Sequence, residues 1–215
     1  MKKRIISIGL LAALTISIGA MAGCGSSGSE SSSEISSAYI AGEGIQYIPA
    51  NDKEFDVALE EKLANADRAE MDKPVTIENS RFQINAFDLA VKIAYWIDEF
   101  KGDTGFETLD RTIAVPVIDE RFIMIDNATL EFDGDGNVKE IRVYNTDGKM
   151  DTLYMVNIAL YGLDKAIDFP DLTKSKEITF TKHNLYGTLF YENTAIEISA
   201  SDNPVFFRAT YTPMK

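Results

Sequence analysis

The chain of 215 residues contains a single cysteine, Cys24, and a single histidine, His183. One cysteine cannot form a disulfide within the chain, and the two residues are too few for a zinc site built on three histidine and cysteine ligands. A Ser-His-Asp relay would have to centre on His183. Yet no serine lies in a nucleophile elbow, and Ser175, Ser199 and Ser201 stand at predicted strand ends or in loops. We therefore predict an exposed loop histidine and no catalytic residues.

The sequence also lacks the motifs that bind phosphate, since it has no P-loop lysine, phosphate loop or dinucleotide fingerprint. Basic side chains are scarce, because 21 lysines and arginines stand against 34 acidic residues, a net charge of −13. Such a chain has little with which to neutralise the phosphates of nucleic acid, and anionic lipid headgroups repel it. We predict no cofactor, no metal site and no nucleic-acid partner, and an acidic surface that mainly provides solvation.

The first residues of the chain have the layout of an export signal. Residues 2–4 are basic, and residues 5–22 form an apolar run of 18 residues without charge. The small residues Ala22 and Gly23 directly precede Cys24. A charged start, an apolar core and small residues before a cleavage site are the parts of a signal peptide. The run is also long enough for a spanning helix, so an uncleaved anchor helix and a plain secretory signal remain alternatives.

The segment Met21-Ala22-Gly23-Cys24 resembles the lipobox of bacterial lipoproteins, with methionine where that family most often has leucine. The resemblance implies cleavage between Gly23 and Cys24 and a diacylglyceryl group on the sulfur of Cys24. It is confined to the N-terminal segment and carries no information about the rest of the chain. We therefore expect a signal peptide at residues 1–23. The lipid is expected to attach the protein to the cell membrane, on its extracytoplasmic side.

The segment that follows, residues 24–50, is predicted to be a tether. It begins with GSSGSESSSEISS over residues 25–37, a composition that buries too little apolar surface to offset the entropy of ordering. Removal of residues 1–23 would leave 18 basic against 34 acidic side chains, a net charge of −16. Residues 51–215 are long enough to bury a core of their own, and we predict one α+β domain there.

Hydrophobic periodicity predicts three helices in this domain, at residues 52–73, 85–101 and 151–167. Asn85 is a suitable N-cap for the second helix. That helix is apolar almost all round, with a narrow polar strip at Asp88, Lys92 and Glu99. Such a pattern indicates a helix that is nearly surrounded by protein.

Alternating and continuous apolar runs predict strands at residues 75–84 (with a turn at 78–80), 113–117, 122–125, 128–132, 141–143, 178–182, 188–199 and 205–212. A tight hairpin turn is predicted at residues 133–137, because the Asp-Gly steps there tolerate positive φ.

The order helix–strand–strand–strand thus occurs twice, in half-repeats at about residues 85–147 and 150–212. Ile113 and Ile178 are 65 residues apart in corresponding strands, although sequence identity between the halves is low, and coincidence is the alternative. We predict an α+β fold in which helices cover one or more antiparallel sheets, with two αβββ units in tandem. In element order alone, such tandem units resemble the β-lactamase-inhibitor-protein group.

A calcium loop is suggested by Asp133, Asp135 and Asn137, which place oxygen atoms at alternating positions. An EF-hand loop starting at Asp133 also needs glycine at its sixth position and glutamate at its twelfth. Val138 and Tyr144 stand there instead, so these residues are interpreted as a hairpin turn.

Adjacent carboxylates occur in the pairs Asp98/Glu99 and Asp119/Glu120. Neighbouring side chains point in different directions on a helix or a strand, so neither pair is a catalytic pair. A pair formed across the fold cannot be identified from the sequence.

Aromatic residues are dense near the C-terminus, at Tyr186, Phe190, Tyr191, Phe206, Phe207 and Tyr211. An exposed strip of these rings would bind protein, peptide or glycan, whereas burial on both sides of a sheet is the alternative. The main hypothesis for function is a binding or interaction module on the cell envelope. A contiguous exposed apolar or aromatic patch would favour it. An envelope hydrolase with two acidic residues and a structural subunit of an envelope complex are the alternatives.

Overall fold

The computed structural model describes residues 52–106, 109–114, 121–145, 151–167, 178–180, 184–202 and 205–215. All of them belong to Ser36–Lys215, one of the two units into which the chain divides. The predicted signal peptide and the whole of the predicted tether lie outside the described residues, so those predictions stay open.

The first predicted helix is present, but it ends earlier than expected. Helix α1 spans Asp52–Ala64, and Phe55 and Leu59 form its buried stripe. A separate short helix, α2, spans Arg68–Met71 and begins after Asp67, whose carboxylate accepts a hydrogen bond from the Ala69 amide. The N-cap restarts the helix here, because it satisfies an amide that would otherwise have no partner.

A two-stranded hairpin follows, as the sequence predicted. Strand β1 spans Ile77–Glu78 and strand β2 spans Arg81–Phe82, and the two pair antiparallel. Asn79 and Ser80 both have positive φ, the conformation that a tight two-residue turn requires.

Helix α3 spans Ala86–Phe100, and the predicted N-cap is confirmed, since the side chain of Asn85 accepts a hydrogen bond from the Asp88 amide at 2.7 Å. One residue of the predicted polar strip behaves differently. Lys92 is buried, with 7% of its surface exposed, and its ammonium group donates a hydrogen bond to the carbonyl of Lys73. The chain between α2 and β1 covers it, and no local pattern indicates this contact between distant segments.

Four strands come after α3. They are β3 at Ile113–Ala114, β4 at Phe122–Ile125, β5 at Ala128–Phe132 and β6 at Val138–Asn145. Burial alternates along β5: the first, third and fifth residues are buried, and the second and fourth are half-buried. This alternation is the mark of a sheet with one covered face.

The third predicted helix is shorter than expected. Helix α4 spans Asp151–Tyr161, and a short 3₁₀ helix, Leu163–Lys165, follows it. Gly162 separates them with φ 81° and ψ 160°, a conformation that is almost restricted to glycine. A Cβ atom at this position would lie 2.7 Å from the carbonyl oxygen of Asp72. The helix therefore ends where the backbone of Asp72 closely approaches Gly162.

Four further strands complete the chain: β7 at Ile178–Phe180, β8 at Asn184–Tyr191, β9 at Thr194–Asp202 and β10 at Val205–Pro213. The prediction of one strand over residues 188–199 is wrong, because β8 and β9 are separated by a turn at Glu192 and Asn193. Both turn residues have positive φ. Glutamate rarely adopts this conformation, which explains why the sequence carried so weak a turn signal.

Strands β3 to β10 form one antiparallel sheet in the order β3-β4-β5-β6-β10-β9-β8-β7, which confirms the α+β prediction. The sheet consists of two halves that meet at the central pair, β6 and β10. In each half the strands run in chain order from the edge of the sheet to its centre. The tandem arrangement therefore appears with four strands in each unit instead of three: α3 precedes β3 to β6, and α4 precedes β7 to β10.

The core lies between the helices and one face of this sheet. Ile93 and Trp96 of α3, together with Val156 of α4, are completely buried. They belong to one apolar cluster that also includes sheet residues such as Ile141 and Tyr211.

Candidate functional site

Several residues singled out from the sequence lie outside the described part of the chain. They are Gly23 and Cys24 (the predicted cleavage and lipid-attachment residues), Asp119, Glu120, Ser175 and His183. The lipid anchor, and the prediction of an exposed loop histidine, therefore remain predictions.

The adjacent carboxylates of α3 bind two different arginines. Asp98 accepts a hydrogen bond from Arg111 at 2.9 Å, and Glu99 accepts one from Arg68. Arg68 also stacks over Trp96, with its guanidinium carbon 5.1 Å from the ring centroid. Each carboxylate thus serves as an ion-pair partner that links α3 to another segment.

The suspected calcium loop is a hairpin turn, as interpreted from the sequence. The carboxylate of Asp133 accepts hydrogen bonds from the amides of Asp135 and Asn137 through Oδ1. Its Oδ2 lies 3.7 Å from Arg81. Both oxygens therefore have partners within the protein, and the side chain holds the turn together.

One set of acidic residues does interact across the fold. Burial raises the pKa of Asp126, an effect that the hydroxyl of Thr152 opposes by donating a hydrogen bond and that Asp110 and Asp151 reinforce. Asp126 lies at the turn between β4 and β5 with φ 47°. Within the described ranges, no group of three or more histidine, cysteine or acidic residues is arranged to hold a metal ion.

The aromatic residues near the C-terminus are divided between two environments. Phe207 and Tyr211 are buried in the core, and Tyr191 is half-buried. Tyr186 and Phe190, in contrast, are 53% and 63% exposed. The side chain of Phe206 is outside the described structure. Alternation along the strands explains the division, because successive side chains point to opposite faces.

The exposed aromatic residues belong to the face of the large sheet that lies opposite the helices, which we call the open face. Its side chains follow from the strand register, since directly paired residues share a face. One row of paired residues crosses six strands, namely Met124, Thr129, Arg142, Thr210, Glu197 and Thr188.

A second row on the same face lies two residues further along each strand. Tyr144 pairs with Arg208, Arg208 with Ser199, and Ser199 with Tyr186. At about 4.8 Å between strands, the two tyrosines are about 14 Å apart, with Arg208 between them. Of the five large apolar or aromatic residues exposed in the described structure, only Val57 lies outside the open face.

The charges of the open face are partly unpaired. Arg142 is held by Glu140 and by Glu131, the latter at 2.8 Å. Arg208 and Glu197 are exposed, and neither makes an ion pair with any residue that the structure describes. Neither residue was singled out from the sequence, although each lies between two apolar residues in a predicted strand.

None of the described helices is both long and apolar enough to cross a membrane. Comparisons of the chain with protein-family models, with curated protein sequences and with solved structures gave no match. The architectural resemblance noted in the sequence therefore rests on element order alone, and function must be argued from the surface itself.

Proposed function

We propose that this protein is a lipid-anchored binding module of the cell envelope, rather than an enzyme, and that its open face binds a protein partner. The observation that carries the proposal is that Met124, Tyr144, Tyr186 and Phe190, four of the five large apolar or aromatic residues exposed in the described structure, all lie on a single face of the sheet. Exposed apolar residues scattered singly need no explanation, whereas a shared patch is typical of an interaction site.

The composition of the open face favours a protein partner. Tyrosine, phenylalanine, methionine and arginine are the residues enriched in protein interfaces, and tyrosine and arginine are frequent hot spots. Arg208 between two tyrosines combines these features. Its unpaired guanidinium would bind a carboxylate of the partner, while Glu197 would bind a cation.

The size of the open face also suits a protein. Eight strands at about 4.8 Å give a width of about 34 Å, and eight residues along β8 give a length of about 26 Å. An area of several hundred Å² results, comparable with the roughly 800 Å² that each partner contributes to a standard interface. A sheet face of this extent is far larger than the pockets that enclose small molecules.

The expected anchor fits this role. A lipid on Cys24 followed by a tether over residues 24–50 would hold the domain at the membrane without embedding it. Two or more acyl chains give stable anchoring, which a single chain does not. The net charge of −16 expected after cleavage at Gly23 would keep the domain away from anionic headgroups and would attract a partner of positive net charge.

The partner can be identified by photo-crosslinking in cells. A photoreactive residue replaces Tyr186 on the open face in one strain and Val57 on α1 in another. We expect a defined protein adduct only from the open-face position, and the adduct would be identified by mass spectrometry. Equal adducts from both positions, or none from Tyr186, would contradict the proposal, and an adduct to polysaccharide would replace protein by glycan.

A matched pair of double variants then tests the energetics. Phe190→Ala with Arg208→Ala removes one exposed apolar residue and one cation from the open face, and Val57→Ala with Lys53→Ala removes the same types from α1. We expect the first pair to weaken binding of the purified partner by tenfold or more, as hot-spot residues do. The second pair should leave affinity unchanged; equal effects would refute the assignment of the surface.

The anchor has a separate test, because the two parts of the proposal are independent. Mass spectrometry of the mature protein should show a chain that begins at a lipidated Cys24, and Cys24→Ala should abolish both the added lipid mass and cleavage after Gly23. A mature protein with residues 1–23 attached and an unmodified thiol would refute the lipoprotein assignment and leave the open face untouched.

A further inference from the structure

A cleft of about 350 Å³ lies where β1, the end of α4 and the turn between β8 and β9 meet, and its described lining includes none of the open-face residues named above. Its volume lies within the range of small-ligand sites. Its walls combine apolar side chains, including Ile77, Leu160 and Tyr161, with the charged side chains of Glu78, Lys165 and Glu192.

The electrostatics of the cleft favour a cation. Glu78 is exposed and makes no ion pair with a described residue, and Glu192 is a second acidic residue of the lining. Leu160 and Tyr161 lie in the last turn of α4, where the partial negative charge of the helix dipole is concentrated. Lys165, the one basic residue among the described residues of the lining, binds Glu192 at 3.2 Å.

The apolar wall of the cleft includes a polar group without a partner. Tyr161 is 4% exposed, and its hydroxyl makes no hydrogen bond of normal geometry. Burial raises the pKa of this hydroxyl, an effect that nearby Thr194 opposes, so the group is neutral at physiological pH. The hydroxyl itself is covered by protein, so Tyr161 contributes an uncharged and largely apolar surface to this wall of the cleft.

The ring of Tyr161 is held rigidly in this position. It packs edge-on against Tyr191, with the centroids 5.1 Å apart and the rings at 82°. The hydroxyl of Tyr191 donates a hydrogen bond to the carbonyl of Lys165 at 2.9 Å. Aromatic rings of fixed orientation attract cations and pack well against methylene chains.

We propose that this cleft binds an organic cation on an apolar stem, namely the arginine or lysine side chain of a polypeptide. Glu78 and Glu192 receive the charged group, and Val75, Ile77 and Leu160 contact the stem. Lys165 occupies one of these carboxylates in the free protein and therefore competes with the ligand. The site is separate from the open face and does not depend on the function proposed above.

The probes are Nα-acetyl-arginine amide and its uncharged analogue, Nα-acetyl-citrulline amide. Binding to the full chain is followed by NMR, through the backbone amide signals of Thr76, Lys165 and Asn193. We expect the arginine probe to shift these signals in a saturable manner, whereas the citrulline probe should bind at least about fivefold more weakly. Citrulline has nearly the same shape, so the difference reports the charge.

Three variants are expected to give three different results for the affinity for the arginine probe. Glu78→Gln should weaken binding of the arginine probe about three- to fivefold, the range for a partly exposed ion pair. Lys165→Met should strengthen binding, because it frees Glu192 from its internal partner. Glu197→Gln, on the open face, changes the net charge by the same amount as Glu78→Gln and should leave affinity unchanged.

Several outcomes would overturn the proposal. They are equal affinity for the two probes, weaker binding in Lys165→Met, an equal effect of Glu78→Gln and Glu197→Gln, or signal changes confined to other parts of the sheet. Thermal unfolding of each variant shows whether it is folded. The variant Arg208→Ala alters the open face and leaves the cleft intact. Unchanged affinity of this variant for the arginine probe separates the cleft from the proposed protein interface.

Discussion

Lys92 provides a quantitative test of how the segment between α2 and β1 packs on α3. Desolvation by burial lowers the pKa of Lys92 from 10.5 to about 8, although Asp72 and Glu70 favour the charged form. Each pKa unit corresponds to about 1.36 kcal/mol. The protein therefore loses roughly 3 kcal/mol of stability at neutral pH by keeping this ammonium group buried.

The direction of the pH dependence follows from proton binding. Below pH 8 the lysine is protonated in both the folded and the unfolded state, so the full cost is present. Between about pH 8 and 10.5 the unfolded chain holds the proton that the folded protein has released, and stability rises with pH. Near pH 10.5 and above, the cost of the buried charge has disappeared.

The variant Lys92→Met keeps an apolar side chain of similar length and removes the titration. We expect the difference in unfolding free energy between wild type and variant to change by roughly 3 kcal/mol in favour of wild type from pH 7 to pH 10.5. All other titrating groups are shared, so the difference isolates Lys92. Urea unfolding can be followed by the fluorescence of Trp96, the single tryptophan, which is completely buried.

The same exchange at an exposed lysine, Lys62→Met, controls for the loss of one positive charge in an acidic chain. The side chain of Lys62 is 61% exposed. A difference between wild type and Lys92→Met that stays constant within about 0.5 kcal/mol over this pH range would refute the buried position of the ammonium group.

Three substitutions test close packing, capping and a buried hydrogen bond through their free energies of unfolding in urea. Gly162→Ala should cost about 2–4 kcal/mol, because φ is 81° and the new Cβ would meet the carbonyl of Asp72 at 2.7 Å; a neutral result would contradict this packing. Asn85→Ala should cost about 1 kcal/mol through loss of the N-cap, with Asn85→Ser largely restoring it. Tyr211→Phe should cost about 1–3 kcal/mol, because it leaves the buried amide oxygen of Asn157 without its hydrogen-bond donor. Tyr161→Phe removes a hydroxyl that has no hydrogen-bond partner of normal geometry, and it should be neutral or stabilising. Similar costs for the two variants would refute the distinction.

Helix α3 shows what local sequence signals can predict. Its N-cap, Asn85, and its apolar periodicity lie within one short segment, and the observed helix, Ala86–Phe100, agrees with the prediction. The hairpin between β5 and β6 was predicted for the same reason, since the turn residues themselves favour positive φ. Signals of this kind depend on interactions between residues close in sequence.

The division between β8 and β9 could not be predicted in this way. Glu192 and Asn193 adopt positive φ because the two strands pair over eight positions on either side of the turn. Hydrogen bonds and packing along the whole hairpin outweigh the local preference of glutamate. The earlier end of α4 at Tyr161 has a similar origin, in the close approach of Asp72 to Gly162.

Both candidate sites depend on contacts between distant parts of the chain. Tyr144 and Arg208 are adjacent on the open face because β6 pairs with β10, and the cleft brings Glu78 near a turn more than a hundred residues later. Alternation in the sequence showed which residues share a face of each strand. It could not show which strands are neighbours, because pairing depends on the global arrangement of helices and sheet.

The sequence by itself was sufficient for the class of fold, for most helices and strands, and for the exclusion of a disulfide and of a zinc site built on histidine and cysteine. Composition and short-range periodicity carry that information. The tertiary structure alone decided that Lys92 is buried, that the sheet joins two four-stranded halves through β6 and β10, and that the exposed aromatic residues lie on the same face of the sheet. Each of these depends on contacts between distant segments, whose energies only the complete packing determines.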